Sequence, residues 1–341
     1  MNRKTVLLIF GGESSEHDVS VSSARNVYAA IDDTKFTVIL GYIDRRGKWW
    51  LLDKFGTEID THGMPQLAAV VGTGSFVTIP ENRVVKPHVI LPILHGKNGE
   101  DGSVQGLAQL LHIPIVGCDM TAGAICMDKI ATKRILETCD ISVAPYEVYQ
   151  RGLEPPTFGR LVEKLGTPLF VKPNRAGSSV GVSKVESQAE LDHAFEVALK
   201  EDNIVLIEQA IVGRELEVAV LGNPPHHKAS GVGEIQMQDG FYDYDAKYDN
   251  GSSARVVTHA DIPPEKATEI REVAHKSYEI LGCSGLSRVD FFLTEDGVVY
   301  VNEVNTLPGF TNISMYPKLW REEGISYGQL IERLIDLALE K

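Results

Sequence analysis

The sequence predicts an α/β and α+β chain that opens with a parallel α/β domain, and three observations carry that reading. Short β-rich runs at 5–10 and 36–43 flank a helical pattern from about Asp18 to Ile31, the alternation expected of a parallel layer with right-handed crossovers. "HVILPILHG" (88–96) is apolar almost throughout, as a strand covered on both faces must be. Further on, a strand near 168–173, a Gly/Ser loop, a strand near 180–185, a helix over 188–200 and the strand Ile204–Glu208 give way to a strand-rich stretch from about 213.

The remaining elements follow in order. A helix is expected from about Val104 to Leu111, then a short run over Ile113–Val116. "MDKIATKRILET" (127–138) is helical and crosses into a new unit. A helix over 264–281 interrupts the C-terminal strands. A final amphipathic helix over 326–340 turns Leu330, Leu334 and Leu337 inward. The expected units are 1–117, 118–212 and 213–341. No role is assigned to residues 44–85, and no internal repeat is found.

At 341 residues the chain is long enough for two or three domains, and 43% hydrophobic residues suffice for their cores. A net charge of −14 disfavours nucleic acid or an anionic membrane as the main partner. The run Val6–Phe10 in "MNRKTVLLIFGG" is shorter than the roughly 7–15 residues of a secretory apolar region and is read as a strand. No stretch reaches the roughly 18 apolar residues of a membrane span. The four cysteines form no CxxC, which fits reduced thiols in a cytoplasmic protein.

"RVDFFLTEDGVVYVNEVN" (288–305) sets Asp296-Gly297 between two apolar runs, a strong hairpin signal. A two-residue turn there sets Asp290 opposite Glu303 and Arg288 opposite Asn305. It also puts Arg288, Asp290 and Phe292 on the face of Val299, Val301, Glu303 and Asn305. Facing carboxylates destabilise a ladder. If buried among Phe and Val, the pair needs protonation or a cation. An oxygen-only set of Asp, Glu and Asn suits Mg²⁺ or Mn²⁺, which keep positions open for phosphate oxygens. A solvent-facing pair, or a register slipped by one residue, is the alternative.

"LFVKPNRAGSSVGVSKV" (169–185) is a strand, a loop with Gly177 and Gly181, and a second strand, with Lys172 at the first strand's end. Glycines let backbone N–H groups approach an anion. The loop fits neither phosphate-binding fingerprint GxxxxGK[ST] nor GxGxxG, so an ordinary flexible hairpin stays open; the metal site downstream favours phosphate cradling. "IVLIEQAIVGRELEV" (204–218) runs from a strand into Glu208 and Glu215. Its free strand end could read an adenine edge and a carboxylate could hold ribose, while Glu215 and Glu217 could equally be solvated strand charges.

Taken together, "GGESSEHDVS" (11–20), "LHGKNGEDGSVQG" (94–106), "MDK" (127–129), "VKPNRAGSSVGVSKV" (171–185), "FYDYDAKY" (241–248), "RVDFF" (288–292) and "NEVNTLPGFTNIS" (302–314) resemble the D-alanine–D-alanine ligase family. The resemblance is in order along most of the chain. It implies that the parallel α/β domain is followed by a two-domain ATP-grasp fold, and that ATP and two Mg²⁺ or Mn²⁺ ions are used. Glu16 resembles the carboxylate that receives the ammonium of the first D-alanine, with Ser178 and Tyr248 linking it to a closing loop. His95 and Glu100 resemble the first-substrate pocket. Lys129, Lys172 and Lys247, with Gly177 and Ser179 of the loop, resemble the phosphate contacts. Glu208, Ile211 and Glu215 resemble the adenine and ribose contacts. Asp290, Glu303 and Asn305 match the metal ligands, Arg288 and Gly309 the oxyanion-stabilising pair, and Ser314 and Met315 the second-substrate site. A cytoplasmic homodimer making D-alanyl-D-alanine for peptidoglycan is implied.

"DYDAKYDNGSSARV" (243–256) has the composition of a lid that keeps water from an acyl phosphate. Relatives that use D-lactate resemble one another in lacking the Lys-Tyr end that Lys247 and Tyr248 retain, so an amine nucleophile is expected. Met315 favours the methyl of D-alanine over D-serine. Two readings from other classes remain: a nucleotide-binding module without turnover, and a dinucleotide-binding oxidoreductase on "IFGGESS", which lacks the third glycine and the distal acid.

Overall fold

The computed structural model describes residues 3–237 and 254–341, arranged around three sheets. In the first, β1 (Lys4–Gly11) lies between β2 (Phe36–Ile43) and β7 (Val89–Ile93), parallel to both. Helix α1 (His17–Ala30) is the β1–β2 crossover, and α2 (Ser103–Leu111) follows β7. β7 is buried along its whole length, as its apolar run requires. Residues 113–116 make only an isolated parallel bridge, Ile90 to Ile115, instead of a strand.

The expected parallel layer is present in β2-β1-β7, and the sheet continues beyond it. β3 (Trp49–Leu52), β4 (Gln66–Val70), β5 (Ser75–Ile79) and β6 (Val84–Val85) extend the sheet antiparallel beyond β2, in the order β6-β5-β4-β3-β2-β1-β7. They occupy the stretch 44–85, to which no role was assigned. These strands run only two to five residues. A run that short barely registers an alternation, and only its pairing reveals it.

The helical stretch near 118–138 is two helices, α3 (Met120–Met127) and α4 (Lys129–Glu137). Asp128, extended at φ −84° and ψ 98°, breaks them and caps α4 by accepting from the Ala131 N–H at 2.9 Å. The second sheet, β10-β9-β11-β8, is antiparallel: β8 (Tyr146–Gln150), β9 (Leu169–Pro173), β10 (Ser183–Val185) and β11 (Ile204–Gln209), with α5 (Phe158–Leu165) and α6 (Gln188–Glu201). Leu161, Leu165, Leu191, Phe195 and Val205 form its core.

The third sheet has the order β14-β13-β12-β15-β16: β12 (Arg214–Gly222), β13 (Lys228–Met237), β14 (Ala254–Val257), β15 (Gly285–Leu293) and β16 (Val299–Asn305). Helix α7 (Pro264–Ile280) shares one core with this sheet, with Cys126 of α3 and with Leu136 of α4. α8 (Met315–Glu322) and α9 (Tyr327–Leu339) close the other side, where Leu330 and Leu334 pack beside Phe10 of β1 and Leu91 of β7. The first and third sheets thereby share a continuous apolar core.

The β15–β16 hairpin pairs Asp290 with Glu303 and Arg288 with Asn305, as expected, but by another route. The loop spans five residues, with the Val298 carbonyl accepting from the Thr294 N–H at 3.1 Å, and Leu293 pairs with Val299. A bulge between Val301 and Glu303 then restores the register. Val299 and Val301 therefore turn into the core with Phe291, away from the face of Glu303 and Asn305. The expectation that they share that face is wrong, because a bulge reverses the side-chain alternation.

Candidate active site

All three sheets contribute residues to one site. From the first, β1 ends in a glycine turn, and Glu16 stands just before the start of α1 with only 7% exposure. Its carboxylate is crowded by backbone on two sides. A Cβ on Gly96, whose φ is +68°, would lie 2.9 Å from Glu16 Oε2, and one on Gly177 would lie 3.2 Å from it. Glycine at both positions lets a loop from each of two sheets meet the carboxylate. Ser178 Oγ donates to Glu16 Oε1 across that junction. Tyr248, its other expected partner, and Lys247 lie outside the described residues.

His95 is buried beside Glu16. Its Nδ1 donates to the Leu307 carbonyl at 3.2 Å and lies 4.0 Å from Glu100 Oε1. Its Nε2 is buried with no partner among the described residues. Burial favours the neutral ring, but Glu100 and then Glu16 outweigh it and raise its pKa. Burial likewise pushes the Glu100 carboxyl up. Glu100 accepts from the Gly96 N–H at 2.9 Å, which ties the pocket to the glycine loop.

The Gly/Ser loop enters from the second sheet. Ser178 and Ser179 adopt left-handed φ of +48° and +59°, a conformation uncommon for residues other than glycine. The loop's base is held by Arg175, whose Nε and Nη2 each donate to Asp202 at 2.9 Å. Lys129 Nζ donates to the Ala176 carbonyl at 2.6 Å. Burial lowers the Lys129 pKa, opposed first by the charge of Glu303. Lys172, Glu208 and Glu100 also act on Lys129, so groups from every sheet converge on this ammonium.

Glu208 has a setting that the sequence did not reveal. It is buried, pairs with Lys172, and meets Lys133 Nζ at 2.6 Å. Lys133, itself 2% exposed, lies one helical turn beyond Lys129 on α4. The signal that could have found it was this spacing of four, which puts two lysines on one helix face. Ile211 and Glu215 are half-buried near the β11–β12 connection, with Glu215 level with Phe292.

On the third sheet, Glu217, Asp290 and Glu303 stand level across β12, β15 and β16. Arg288 answers the like charges. Its Nε donates to Asp290 Oδ1 and its Nη2 to Oδ2, both at 2.7 Å, while Nε lies 3.1 Å from Glu217 Oε2. Burial alone would lower the guanidinium pKa; Asp290 and Glu217 more than offset it and keep Arg288 charged. Asn305 Nδ2 donates to Asp290 Oδ2 at 2.9 Å. No cluster of three or more His, Cys, Asp or Glu among the described residues is arranged to hold a metal. Asp290, Glu303 and Asn305 nevertheless form an oxygen-only donor set on one face, and its chemistry fits Mg²⁺ or Mn²⁺.

After β16 the chain turns back through Gly309, where a Cβ would sit 3.2 Å from Ser314 Oγ. Ser314 starts α8, accepts from the Thr311 N–H at 3.1 Å, and stands next to the buried Met315, which packs in the core against Gly233.

A buried acid, lysines beside a Gly/Ser loop, and a carboxylate row with a guanidinium make a site whose chemistry suits joining a carboxylate to an amine with nucleotide phosphate. Comparison with known proteins agrees. Family models for the D-ala D-ala ligase N-terminus and C-terminus match residues 5–118 and 135–336. A D-alanine--D-alanine ligase A of Chromobacterium violaceum is 48% identical, covering 100% of this chain and 96% of the relative. That of Escherichia coli K12 is 44% identical, covering 100% and 97%. Among solved structures, the D-alanine-D-alanine ligase from Coxiella burnetii has a TM-score of 0.89 at 32% identity, covering 100% of this chain and 95% of that one. The VanG D-Ala:D-Ser ligase from Enterococcus faecalis has a TM-score of 0.89 at 38% identity, covering 99% and 100%. With both halves matched and the identity sustained from end to end, the chain belongs to the D-alanine–D-alanine ligase family.

Proposed function

We propose that this protein joins two D-alanines into D-alanyl-D-alanine with ATP, releasing ADP and phosphate, for synthesis of the bacterial cell wall. The full-length identity to D-alanine--D-alanine ligases carries the reading, and the site supplies a physical route. In this reading Glu16 receives the ammonium of the first D-alanine, beside His95 and Glu100. An oxygen of that substrate's carboxylate attacks the γ-phosphorus, the bond to ADP breaks, and an acyl phosphate forms. Lys129 and Lys172, with the N–H groups around Gly177 and Ser179, offset the charge of bringing two anions together. Glu208, Ile211 and Glu215 frame the nucleoside.

Asp290, Glu303 and Asn305 would hold Mg²⁺ or Mn²⁺, which when bound neutralises phosphate charge. The second D-alanine, its carboxylate near Ser314 and its methyl toward Met315, attacks the acyl carbon as a free amine. Arg288 and the Gly309 N–H face the tetrahedral oxyanion. Phosphate departs with the C–O electron pair, and the proton shed by the amine leaves with it. We place the reaction in the cytoplasm, where its nucleotide substrate is supplied.

A second reading, transfer to D-serine, is favoured by the likeness to the D-Ala:D-Ser ligase. Phosphate release from ATP, measured with D-alanine alone and with D-serine competing, tests both. Release that requires D-alanine and yields D-alanyl-D-alanine is expected. ATP binding without release would refute turnover, and a higher kcat/KM for D-serine would move the chain to the second reading.

A further inference from the structure

The clasp on Asp290 poses a problem that Glu217 solves. Both Asp290 oxygens accept from Arg288, and Oδ2 also accepts from Asn305. A carboxylate so occupied, with a guanidinium against it, is poorly disposed to bind a cation. Arg288 must therefore loosen its hold if Asp290 is to become a ligand. Its side chain is only 17% exposed, so a guanidinium released without another anion would be stranded in a largely dry site. Glu217 stands on the neighbouring strand, level with Asp290, and its Oε2 is already 3.1 Å from the same Nε that Asp290 Oδ1 engages. The guanidinium can pivot from one carboxylate to the other without losing its pairing.

We propose that Glu217 is a positioning residue that takes Arg288 over from Asp290, freeing Asp290 for the cation and keeping the guanidinium in the cleft. This rests on the ligase reading for what Arg288 then does, but the hand-over itself concerns only these three side chains. Three consequences follow from it. The acid at 217 is required on the cleft face of β12. Lysine at 288 could not replace arginine, because only a planar fork engages two oxygens of one carboxylate while touching a second. Loss of Glu217 should impair cation binding although Glu217 is outside the donor set.

The test is a double-mutant cycle in Mn²⁺ affinity, measured on the full chain without ATP or D-alanine by the signal of free Mn²⁺ in electron paramagnetic resonance. Glu217→Gln removes a nearby negative charge and so weakens Mn²⁺ in any background. The hand-over adds a loss that exists only while Arg288 is present. Glu217→Gln should therefore weaken Mn²⁺ at least about fivefold more in the native background than in Arg288→Met, and Arg288→Met alone should tighten it. Equal losses in the two backgrounds would mean that Glu217 acts by its own field, and would overturn the proposal. So would an Arg288→Met variant that binds Mn²⁺ no better than the native chain. Glu217→Asp, which keeps the charge, should recover most of the affinity. Thermal unfolding checks each variant; if either fails to fold, Glu217→Ala and Arg288→Gln run the same cycle, with the same excess loss in the native background expected and equal losses overturning the proposal. D-alanine-dependent phosphate release by the native chain is measured separately, so failure of the ligase reading cannot be mistaken for failure of the hand-over.

Discussion

Replacing Lys133 by methionine offers a clean test of the buried charge cluster. The Lys133 ammonium is 2.6 Å from Glu208 Oε1, with side chains 2% and 6% exposed. Removing one partner of a buried ion pair typically costs about 3–5 kcal/mol, because the other charge is left in a dry setting. Glu208 keeps Lys172, so the lower end, about 3 kcal/mol, applies. Methionine retains much of the lysine stem's volume, which keeps the cavity contribution small. The assay is native-state hydrogen exchange at the amides of β11, the strand that carries Glu208. Their exchange should accelerate roughly a hundredfold in Lys133→Met at fixed pH. Adding Glu208→Gln should not deepen the loss, since the two side chains act as one unit. Acceleration below about threefold would refute the claim that Lys133 neutralises Glu208.

Three further outcomes are expected. Gly96→Ala forces a Cβ to 2.9 Å from Glu16 Oε2 at a left-handed φ. KM for D-alanine in steady-state assays should rise at least about tenfold with little change in ATP binding. Ser178→Ala removes the bond between the Gly/Ser loop and Glu16. It should lower kcat/KM roughly tenfold while leaving the thermal midpoint nearly unchanged. Glu234 has its pKa lowered from the ordinary 4.5, chiefly by hydrogen bonds from Arg214. The unfolded chain then binds the extra proton first, so this pair's contribution is full above about pH 4.5 and fades as pH falls through the lower folded value. In denaturation series from pH 6 to 3, Glu234→Gln should be less stable than the native chain at pH 6, and the gap should close toward pH 3.

What the sequence revealed, and what it hid, follows from the range of the forces involved. β7 was legible because a strand covered on both faces must be apolar at every position. The opposition of Asp290 and Glu303 was legible from a turn signal and strand alternation, yet the turn length and the bulge were both misread. The two errors cancelled at the pair and exposed themselves at Val299 and Val301, which face the core. A bulge leaves no local mark when the extra residue, here in the Val301–Glu303 stretch, is an ordinary polar one. Strands β3–β6 stayed hidden because their order rests on pairing rather than on periodicity. Lys133 and the Arg288–Glu217 contact were missed for a related reason. Each neutralises a carboxylate on a different element, and a partner brought from another element cannot be read from spacing alone.

The claim at the centre of this account is that the first D-alanine is activated as an acyl phosphate in the cleft among Glu16, the Gly/Ser loop and Arg288. Supplying D-alanine labelled with ¹⁸O in its carboxylate and analysing the released phosphate by mass spectrometry tests it directly. Phosphate carrying one ¹⁸O is expected, because the attacking carboxylate oxygen stays with phosphorus when the amide forms. D-alanyl-D-alanine formed alongside unlabelled phosphate would contradict it.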